Sequence, residues 1–410
     1  MAHDQFHDQF DVIIIGGGII GLSTAMAFGK RNPRVRLLIV EKEDRIATHQ
    51  TGHNSGVIHS GLYYKPGSLK ARTCVEGAAA MVAFCREHAI PHEICGKVVV
   101  ATREDELPAL EELHRRGMAN GVPNLSVLGP EQLREIEPHS TGLRALRVPG
   151  TAITDYVAVA EKYASIVAAS GGTILTGAEV VGFVCRSGET VVETTKGEYS
   201  VGTVINCAGL HSDRIARLAA KSAGYASDLM IVPFRGEYYE IIPERWGLVK
   251  GLIYPVPNPK FPFLGVHFTR RVRGGVEAGP NAVLALRREG YRKTDFRFSE
   301  AMATVTFPGF WRMARKYWQE GIQEYYRSLS KKAFVRALQR LLPELGNADL
   351  RPGGSGVRAQ ALDRSGKLLD DFQIIRSDGM IHVLNVPSPA ATASLIIGQR
   401  IVEMVSERPS

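Results

Sequence analysis

The sequence predicts an α/β fold: a Rossmann-type domain assembled from discontinuous segments, with an inserted α+β domain of mostly antiparallel sheet plus helices. Three observations predict it. A complete βαβ unit is written into residues 11–41. Strand and helix patterns return at the end of the chain, from Gly353. Between them, residues from about 230 to 298 alternate strand-like runs with Pro and Gly turns. The chain has 410 residues, enough for two or three domains at about 150 residues each.

The elements follow in order. Asp11-Val12-Ile13-Ile14-Ile15 is a β-branched apolar run, the pattern of a strand buried on both faces. Gly16-Gly17-Gly18 forms the turn. Ile19 to Arg31 is a helix, with Ile20, Ala25 and Phe28 spaced among small residues, and Asn32-Pro33 stops it. Val35 to Val40 is the second strand and ends on Glu41. Ala47 to Gly67 is polar and Gly-rich, a long loop of the kind that carries function. Leu69 to His88 predicts a helix, Gly96 to Ala101 a strand, and Glu104 to Asn120 and Pro130 to Glu137 two helices. Tyr156 to Ala169 forms a helix that Asp155 opens and Gly171-Gly172 stops. Strands are expected at Thr173 to Val184, Val191 to Thr195 and Ser200 to Asn206, the last running into Cys207-Ala208-Gly209. Phe310 to Leu342 is helical and basic, with Trp311, Tyr317, Trp318, Tyr325 and Tyr326 interleaved. From Gly353 come a Gly-rich turn, a strand at Met380 to Val386 and a helix from about Ala390 to Val405.

Composition narrows the class. Hydrophobic residues make up 44% and charged residues 22%, which excludes a disordered chain. No internal repeat is present. The net charge of +8 suits an acidic small substrate or an anionic membrane. It also suits nucleic acid, but no Lys/Arg tail or RNA module accompanies it, so no nucleic acid is expected. The five cysteines, Cys74, Cys85, Cys95, Cys185 and Cys207, are odd in number and form no CxxC. Reduced thiols are expected rather than a disulfide framework or a zinc ribbon. The start, MAHDQFHDQF, lacks the basic and apolar regions of a signal peptide, and glycines break the apolar stretch Val12 to Phe28. The expectation is a cytoplasmic protein. Phe310 to Leu342 reads either as packed helices with a solvated basic face or as a patch on the inner face of the cytoplasmic membrane.

Gly16-Gly17-Gly18-Ile19-Ile20-Gly21 satisfies GxGxxG between a strand and a helix. Gly16 allows the tight turn, Gly18 lets the backbone approach a pyrophosphate, and Gly21 lets helix and strand pack closely. The helix N-terminus offers amides to the phosphates. Glu41 stands 20 residues beyond Gly21, where a carboxylate accepts from ribose hydroxyls. These residues point to a dinucleotide and leave NAD and FAD both open.

The loop His49-Gln50-Thr51-Gly52-His53-Asn54-Ser55-Gly56-Val57-Ile58-His59-Ser60-Gly61-Leu62-Tyr63-Tyr64 follows the second strand. With HQTGHNSGVIHSGLYYKPGSLKA (49–71), PFRGEYY (233–239), FLGVHFTR (263–270), GPNAVLALRREGYRK (279–293), GVRAQ (356–360), GKLLDDF (366–372) and PSPAAT (387–392), the chain closely resembles the FAD-dependent L-2-hydroxyglutarate dehydrogenase (oxidase) family, among the D-amino-acid-oxidase-like and glycerol-3-phosphate-dehydrogenase-like flavoproteins. The resemblance covers nearly the whole chain. It implies FAD as the cofactor and oxidation of L-2-hydroxyglutarate to 2-oxoglutarate, by hydride transfer from the substrate Cα to flavin N5. Quinone, another acceptor or oxygen would take the electrons. The choice of L over D rests on the resemblance. Related glycerol-phosphate flavoproteins carry Ile-His-Gly-Gly-Leu-Arg-Tyr where this chain has Ile58 to Tyr64. Their phosphate-binding Arg is Tyr63 here, which argues against a phosphate substrate.

The resemblance also implies an FAD-binding domain of residues 1–80, 150–225 and 350–410, and a substrate domain of residues 81–149 and 226–349. Expected cofactor neighbours are Lys42 beside Glu41, then Thr51, His53, Asn54 and Ser55 in the loop. Val180 is expected at the adenine, Ala208 and Gly209 at the turn after the strand, and Gly356 with Arg358 in the GVRAQ string. Ser388, Pro389, Ala390, Ala391 and Thr392 open the last helix, whose N-terminus in the family points at the flavin pyrimidine ring and would stabilise reduced flavin.

Oxidising a 2-hydroxy acid needs a base for the hydroxyl proton and donors for the carboxylates. His59 is the favoured base and His267 the second candidate. Arg235, Arg270 and Arg358 are candidate carboxylate holders, with Tyr64 and Tyr239 as further donors. Each of these has a plain alternative, as a structural histidine or an ion pair. No metal site is expected, since glycines interrupt His49 and His53. The rival functions are a flavin amine, amino-acid or other 2-hydroxy-acid oxidase of the same fold, and an RNA-binding FAD protein.

Overall fold

The computed structural model describes residues 8–186, 189–223, 228–258, 264–377 and 379–407, except the side chains of 185, 186 and 221–223. Residues 259–263 of the expected antiparallel region, and the Cys185 thiol, lie outside the described residues. The chain divides into two compact units. The first comprises Met1–Gly52, Tyr156–Val232 and Ala359–Ser410, the second His53–Asp155 and Pro233–Arg358.

The first unit is built on a mostly parallel sheet. Asp8–Ile15 lies between Leu37–Val40 and Gly197–Asn206, parallel to both. Thr173–Leu175 runs parallel beside Leu37–Val40, and Met380–Asn385 parallel beside the end of Gly197–Asn206. Val180–Arg186 and Glu189–Thr194 continue the sheet antiparallel, and Gln373–Ser377 pairs antiparallel with Met380–Asn385. Ile13, Ile14, Leu38, Ile39, Val204 and Ile205 are almost wholly buried. That is why these strands read as unbroken apolar runs: both faces are covered. Each such side chain contributes about 1.5–3 kcal/mol. The helix Ile19–Arg31 packs on Tyr156–Ala169 and Ser394–Ser406. Gly398 permits that closeness, because a Cβ there would lie 2.7 Å from the Ser23 carbonyl.

The second unit holds a mixed sheet. Its order is Val283–Leu284, Met230–Ile241, Val276–Gly279, His267–Arg270, Leu252–Pro255, Lys97–Ala101, Arg144–Val148, Ser126–Leu128, with Leu350–Leu362 also pairing Met230–Ile241. Along that order, neighbouring strands are antiparallel except Leu252–Pro255 and Lys97–Ala101, which are parallel. Strand alternation divides the core. Val98 and Val100 join Phe268, Phe334 and Leu338 on one face, while Val99 and Ala101 join Leu110, Leu146 and Tyr254 on the other.

Several expectations need correction. Thr173 to Val184 is two strands, Thr173–Leu175 and Val180–Arg186. Gly177 turns the chain between them at φ +65°, and the N–H groups of Gly177 and Ala178 bond the Glu43 and Glu41 carbonyls. The loop from Ala47 contains the short strand Val57–Ile58, paired with Ala152–Thr154. That pairing helps place residues 53–80 in the second unit rather than the first. Residues 150–155 and 350–358 belong to the second unit and 228–232 to the first. The expected turn at Gly353 lies inside the strand Leu350–Leu362. Gly353 serves close approach, since a Cβ there would stand 3.0 Å from the Tyr238 carbonyl oxygen. Phe310 to Leu342 is not one helix: Phe298–Thr306, Pro308–Leu329 and Lys331–Leu338 follow each other. Ser330 caps the last of these, its Oγ accepting from Ala333 N at 3.3 Å. The C-terminal helix is Ser394–Ser406, and residues 388–393 form turns before it. In those turns Ala390 N–H bonds Pro387 O and Ala393 N–H bonds Pro389 O.

Candidate active site

In the first unit the glycine turn has the geometry its sequence demands. Gly16 sits at φ +110°, and a Cβ there would lie 2.6 Å from the Cys207 carbonyl oxygen. A Cβ on Gly21 would fall 2.0 Å from Gly16 O. Gly18 N-caps the helix Ile19–Arg31, and a Cβ there would meet only Thr51 Oγ1, at 3.5 Å. The helix N-terminus is therefore backed by backbone and small atoms, a cradle for a pyrophosphate. Thr51 Oγ1 accepts from Ile19 N at 3.0 Å. The Glu41 carboxylate accepts from Gly17 N at 2.7 Å and Glu43 N at 2.9 Å. It stays at the end of the second strand with lone pairs left for ribose hydroxyls. Lys42 is ion-paired with Glu43.

The other expected cofactor residues of this unit fall on neighbouring strand ends. Val180 opens its strand. Asn206 Oδ1 accepts from Ala208 N at 3.1 Å and its Nδ2 donates to Ser212 O at 2.8 Å, holding the turn at Ala208 and Gly209. Ser388, Pro389, Ala390 and Ala391 lie in the turns before Ser394–Ser406, and Thr392 Oγ1 meets Tyr156 Oη at 3.2 Å. Glycine cradle, helix N-terminus and strand-end carboxylate together fit an FAD.

The second unit gathers a buried cationic cluster. His59, on the loop after Val57–Ile58, is surrounded by Lys97, His267, Arg358 and Lys70. Burial first, and these charges next, push its pKa down to about 3. His267 stacks on Tyr254 with ring centroids 3.8 Å apart. Its Nδ1 lies 2.8 Å from Gly265 O. A carbonyl only accepts, so Nδ1 carries the proton and Nε2 the lone pair. Burial draws His267 down to about 4. Arg358 lies near Tyr238 and Tyr64, and burial lowers its pKa. Lys70 Nζ stands 5.2 Å from the Tyr64 ring centroid. Lys97 Nζ stands 4.6 Å from the ring centroid of Tyr63 and 5.3 Å from that of Tyr254. In the same unit His53 Nδ1 lies 3.0 Å from Ser355 O and the ring stacks on Tyr291. Asn54 Oδ1 accepts from Gly56 N at 2.8 Å, with Ser55 half-buried between them. A Cβ on Gly356 would lie 2.4 Å from His53 O.

The structure thus brings together His59, His267, Tyr64 and Arg358. It places three other expected substrate residues differently. Arg235 donates to Glu237 from Nε and Nη2, and to Arg292 O from Nη1. Arg270 forks onto Glu93 and donates to Lys250 O. Both guanidiniums are engaged in structural ion pairs. Tyr239 turns onto Phe334, at 4.8 Å between ring centroids, in the core of the sheet's other face. Its neighbour Tyr238 is the tyrosine beside Arg358. The period-two alternation of a strand decides between them.

Sequence reading missed Lys70, Lys97, Tyr63, Tyr238 and Tyr254 as members of this cluster. One signal was present for Lys97. It begins the run Lys97-Val98-Val99-Val100-Ala101. A strand buried on both faces cannot put its lysine in water.

The matches to known proteins agree with this geometry. A family model described as FAD dependent oxidoreductase matches residues 11–404. An L-2-hydroxyglutarate dehydrogenase of Indibacter alkaliphilus is 53% identical over 98% of this chain and 100% of the relative. The mitochondrial L-2-hydroxyglutarate dehydrogenase of Homo sapiens is 44% identical over 98% of this chain and 89% of its own. Among solved structures, the FAD-bound L-α-glycerophosphate oxidase of Mycoplasma pneumoniae aligns with TM-score 0.79 at 22% identity, covering 98% of this chain and 96% of that one. Glycine oxidase of Geobacillus kaustophilus aligns with TM-score 0.71 at 18% identity, covering 98% and 96%. These two share the fold. The chain belongs to the FAD dependent oxidoreductases and, within them, to the family of the L-2-hydroxyglutarate dehydrogenases.

Proposed function

We propose that this chain oxidises L-2-hydroxyglutarate to 2-oxoglutarate with FAD as the immediate oxidant. The observation that carries the reading is the cluster of Arg358 and the buried Lys70 and Lys97 around two imidazoles whose pKa values are drawn down. A five-carbon dianion is a ligand such a cluster can hold. The relatives named L-2-hydroxyglutarate dehydrogenases support the same substrate.

Bound FAD supplies the two-electron acceptor that takes the Cα hydrogen as hydride. Gly16, Gly18, Gly21, Glu41 and Thr51 would hold its dinucleotide part. Val180, Ala208, Gly209, the 388–392 turn and Lys42 would add further contacts in the same unit. Arg358 binds one substrate carboxylate, with Tyr64 and Tyr238 beside it. His59 takes the hydroxyl proton. Its free pKa of about 3 makes it a weak base until the substrate dianion offsets the surrounding cations and raises it. His267 presents Nε2 as an acceptor in the same cluster. Arg235, Arg270 and Tyr239 serve the scaffold. With a dye acceptor, purified protein should convert L-2-hydroxyglutarate to 2-oxoglutarate mole for mole and leave the D isomer untouched. Turnover of glycine or glycerol 3-phosphate in place of the L-hydroxy acid would move the assignment to another oxidase of this fold.

A second reading concerns where the electrons go. The helix Pro308–Leu329 leaves Trp311 62%, Trp318 57%, Ile322 60% and Leu329 80% exposed. The segment is kinked at Tyr317: Trp311 lies before the kink with Arg312, Arg315 and Lys316, and Trp318, Ile322 and Leu329 recur at helical spacing after it. Among the described residues no helix is long and apolar enough to cross a membrane. The stripe suits an interfacial contact with an anionic bilayer, where quinone would be the acceptor. Co-sedimentation with vesicles containing phosphatidylglycerol, strongest at low salt, is the expected result. Protein that stays in the supernatant at low salt rules the contact out.

A further inference from the structure

We propose that the ε-ammonium of Lys97 binds a carboxylate of the substrate and is a main reason the site takes dicarboxylates. The inference rests on the reading that the substrate is a dicarboxylate and names the residue that recognises it.

Lys97 opens a strand in which every residue is buried, and is itself only 3% exposed. The strand lies between Arg144–Val148 and Leu252–Pro255. Alternation sets Lys97 on the face of Val99 and Ala101, where Val148, Leu252 and Tyr254 form an apolar cluster. The faces of Tyr63 and Tyr254 flank the ammonium, at 4.6 and 5.3 Å from Nζ to the ring centroids. They attract a cation but supply no counter-charge. Among the described residues no carboxylate lies within ion-pair distance of Lys97 Nζ. The buried Tyr63 Oη also has no hydrogen-bond partner among the described residues.

A buried structural cation elsewhere in this unit is treated differently. Arg235, 6% exposed, is bound to Glu237 at 2.9 Å. A buried cation without an anion costs more free energy than a methionine of the same volume. A substrate carboxylate removes that cost on entering, and the Tyr63 hydroxyl can donate to it. A single ammonium suits one carboxylate as a point charge, which leaves the planar fork of Arg358 for the other.

The arrangement fixes a pH dependence. Burial draws Lys97 down to about 8. Facing it, in a cluster that also holds the cations Lys70 and Arg358, are His59 and Tyr63 from the loop, Cys74 from Leu69–Glu87, Tyr254 from Leu252–Pro255 and His267 from His267–Arg270. His59 and His267 are drawn to about 3 and 4, and burial pushes Cys74 up to about 12. Tyr63 and Tyr254 are raised. None of these imidazole, thiol and phenol groups titrates where Lys97 does. The ammonium is charged below about 8 and loses its charge above, so anion binding weakens as pH rises through that value.

The test uses flavin-loaded protein and two readouts. In wild type, KM for L-2-hydroxyglutarate should be flat below pH 8 and rise above it, with kcat much less affected. Lys97→Met should raise KM about 30-fold at pH 7, the loss of a charge-assisted bond, and should abolish the alkaline rise. Lys97→Arg should restore part of the affinity and move the rise beyond pH 10. Glutarate, titrated against the flavin absorbance, should bind wild type with the same pH profile and bind Lys97→Met about 30-fold more weakly. A KM within threefold of wild type in Lys97→Met overturns the proposal. If Lys97→Met fails to fold, a Lys97→Arg enzyme that keeps the rise at pH 8 overturns it instead. Glutarate binding is independent of turnover. If wild type ignores L-2-hydroxyglutarate, the substrate reading fails while the carboxylate role of Lys97 is still decided.

Discussion

Replacing His59 with Gln should slow anaerobic flavin reduction by L-2-hydroxyglutarate about 10²–10⁴-fold, the usual share of a positioned general base. Flavin content and KM should change little, because Gln keeps the size and polarity of the side chain and the cations around it stay in place. The pH profile sharpens the test. Both imidazoles are depressed, to about 3 for His59 and about 4 for His267. A group whose pKa is lowered loses its proton early, so both are already neutral across the neutral range. The value of kcat/KM reports the free enzyme, so it should hold level down to about pH 5 and fall only on the alkaline side. An unchanged reduction rate in His59→Gln would transfer the base to His267, whose Nε2 is its unprotonated nitrogen. A large rise in KM with kcat intact would make His59 a binding residue.

The second large effect belongs to the glycine turn. Gly21→Val should destabilise the protein by at least about 1–3 kcal/mol, the cost of forcing extra atoms into a filled space, and should abolish FAD binding. The Cβ would stand 2.0 Å from the Gly16 carbonyl oxygen and 3.3 Å from Ile14 Cγ2, and backbone cannot rotate away as a side chain can. Gly18→Ala is the control. Its Cβ makes an ordinary 3.5 Å contact with Thr51 Oγ1, so the apoprotein should melt near the wild-type temperature. Flavin retention should nevertheless fall, because the methyl occupies the space through which Gly18 approaches the pyrophosphate. Thermal melts and flavin-to-protein ratios of the two variants separate folding from cofactor binding. Equal flavin content in Gly18→Ala and wild type would remove the pyrophosphate from this turn.

What the sequence made legible follows from range. The strand at Asp11–Ile15 and the turn at Gly16, Gly18 and Gly21 are dictated by local chemistry, so both could be read directly. The identities of His59 and Arg358 came from strings specific to the family. Side-chain direction was harder. Tyr238 and Tyr239 are adjacent, and only strand pairing decides that Tyr239 enters the core with Phe334. Arg235 and Arg270 looked equivalent to Arg358, yet Glu237 and Glu93 claim them in space. Lys97 lay hidden because its partners, Tyr63 and Tyr254, are distant in the chain. The break before Lys331–Leu338 was a local signal, since Ser330 caps that helix, but the basic aromatic composition on both sides obscured it.

Everything above turns on the identity and handedness of the substrate. The most direct measurement is anaerobic. L-2-hydroxyglutarate, D-2-hydroxyglutarate, glycerol 3-phosphate and sarcosine are mixed separately with the oxidised flavoprotein while the flavin absorbance is followed. Rapid, stoichiometric bleaching by the L-hydroxy acid alone, with 2-oxoglutarate as product, is the expected result. Bleaching by one of the other compounds, with none by L-2-hydroxyglutarate, would contradict it.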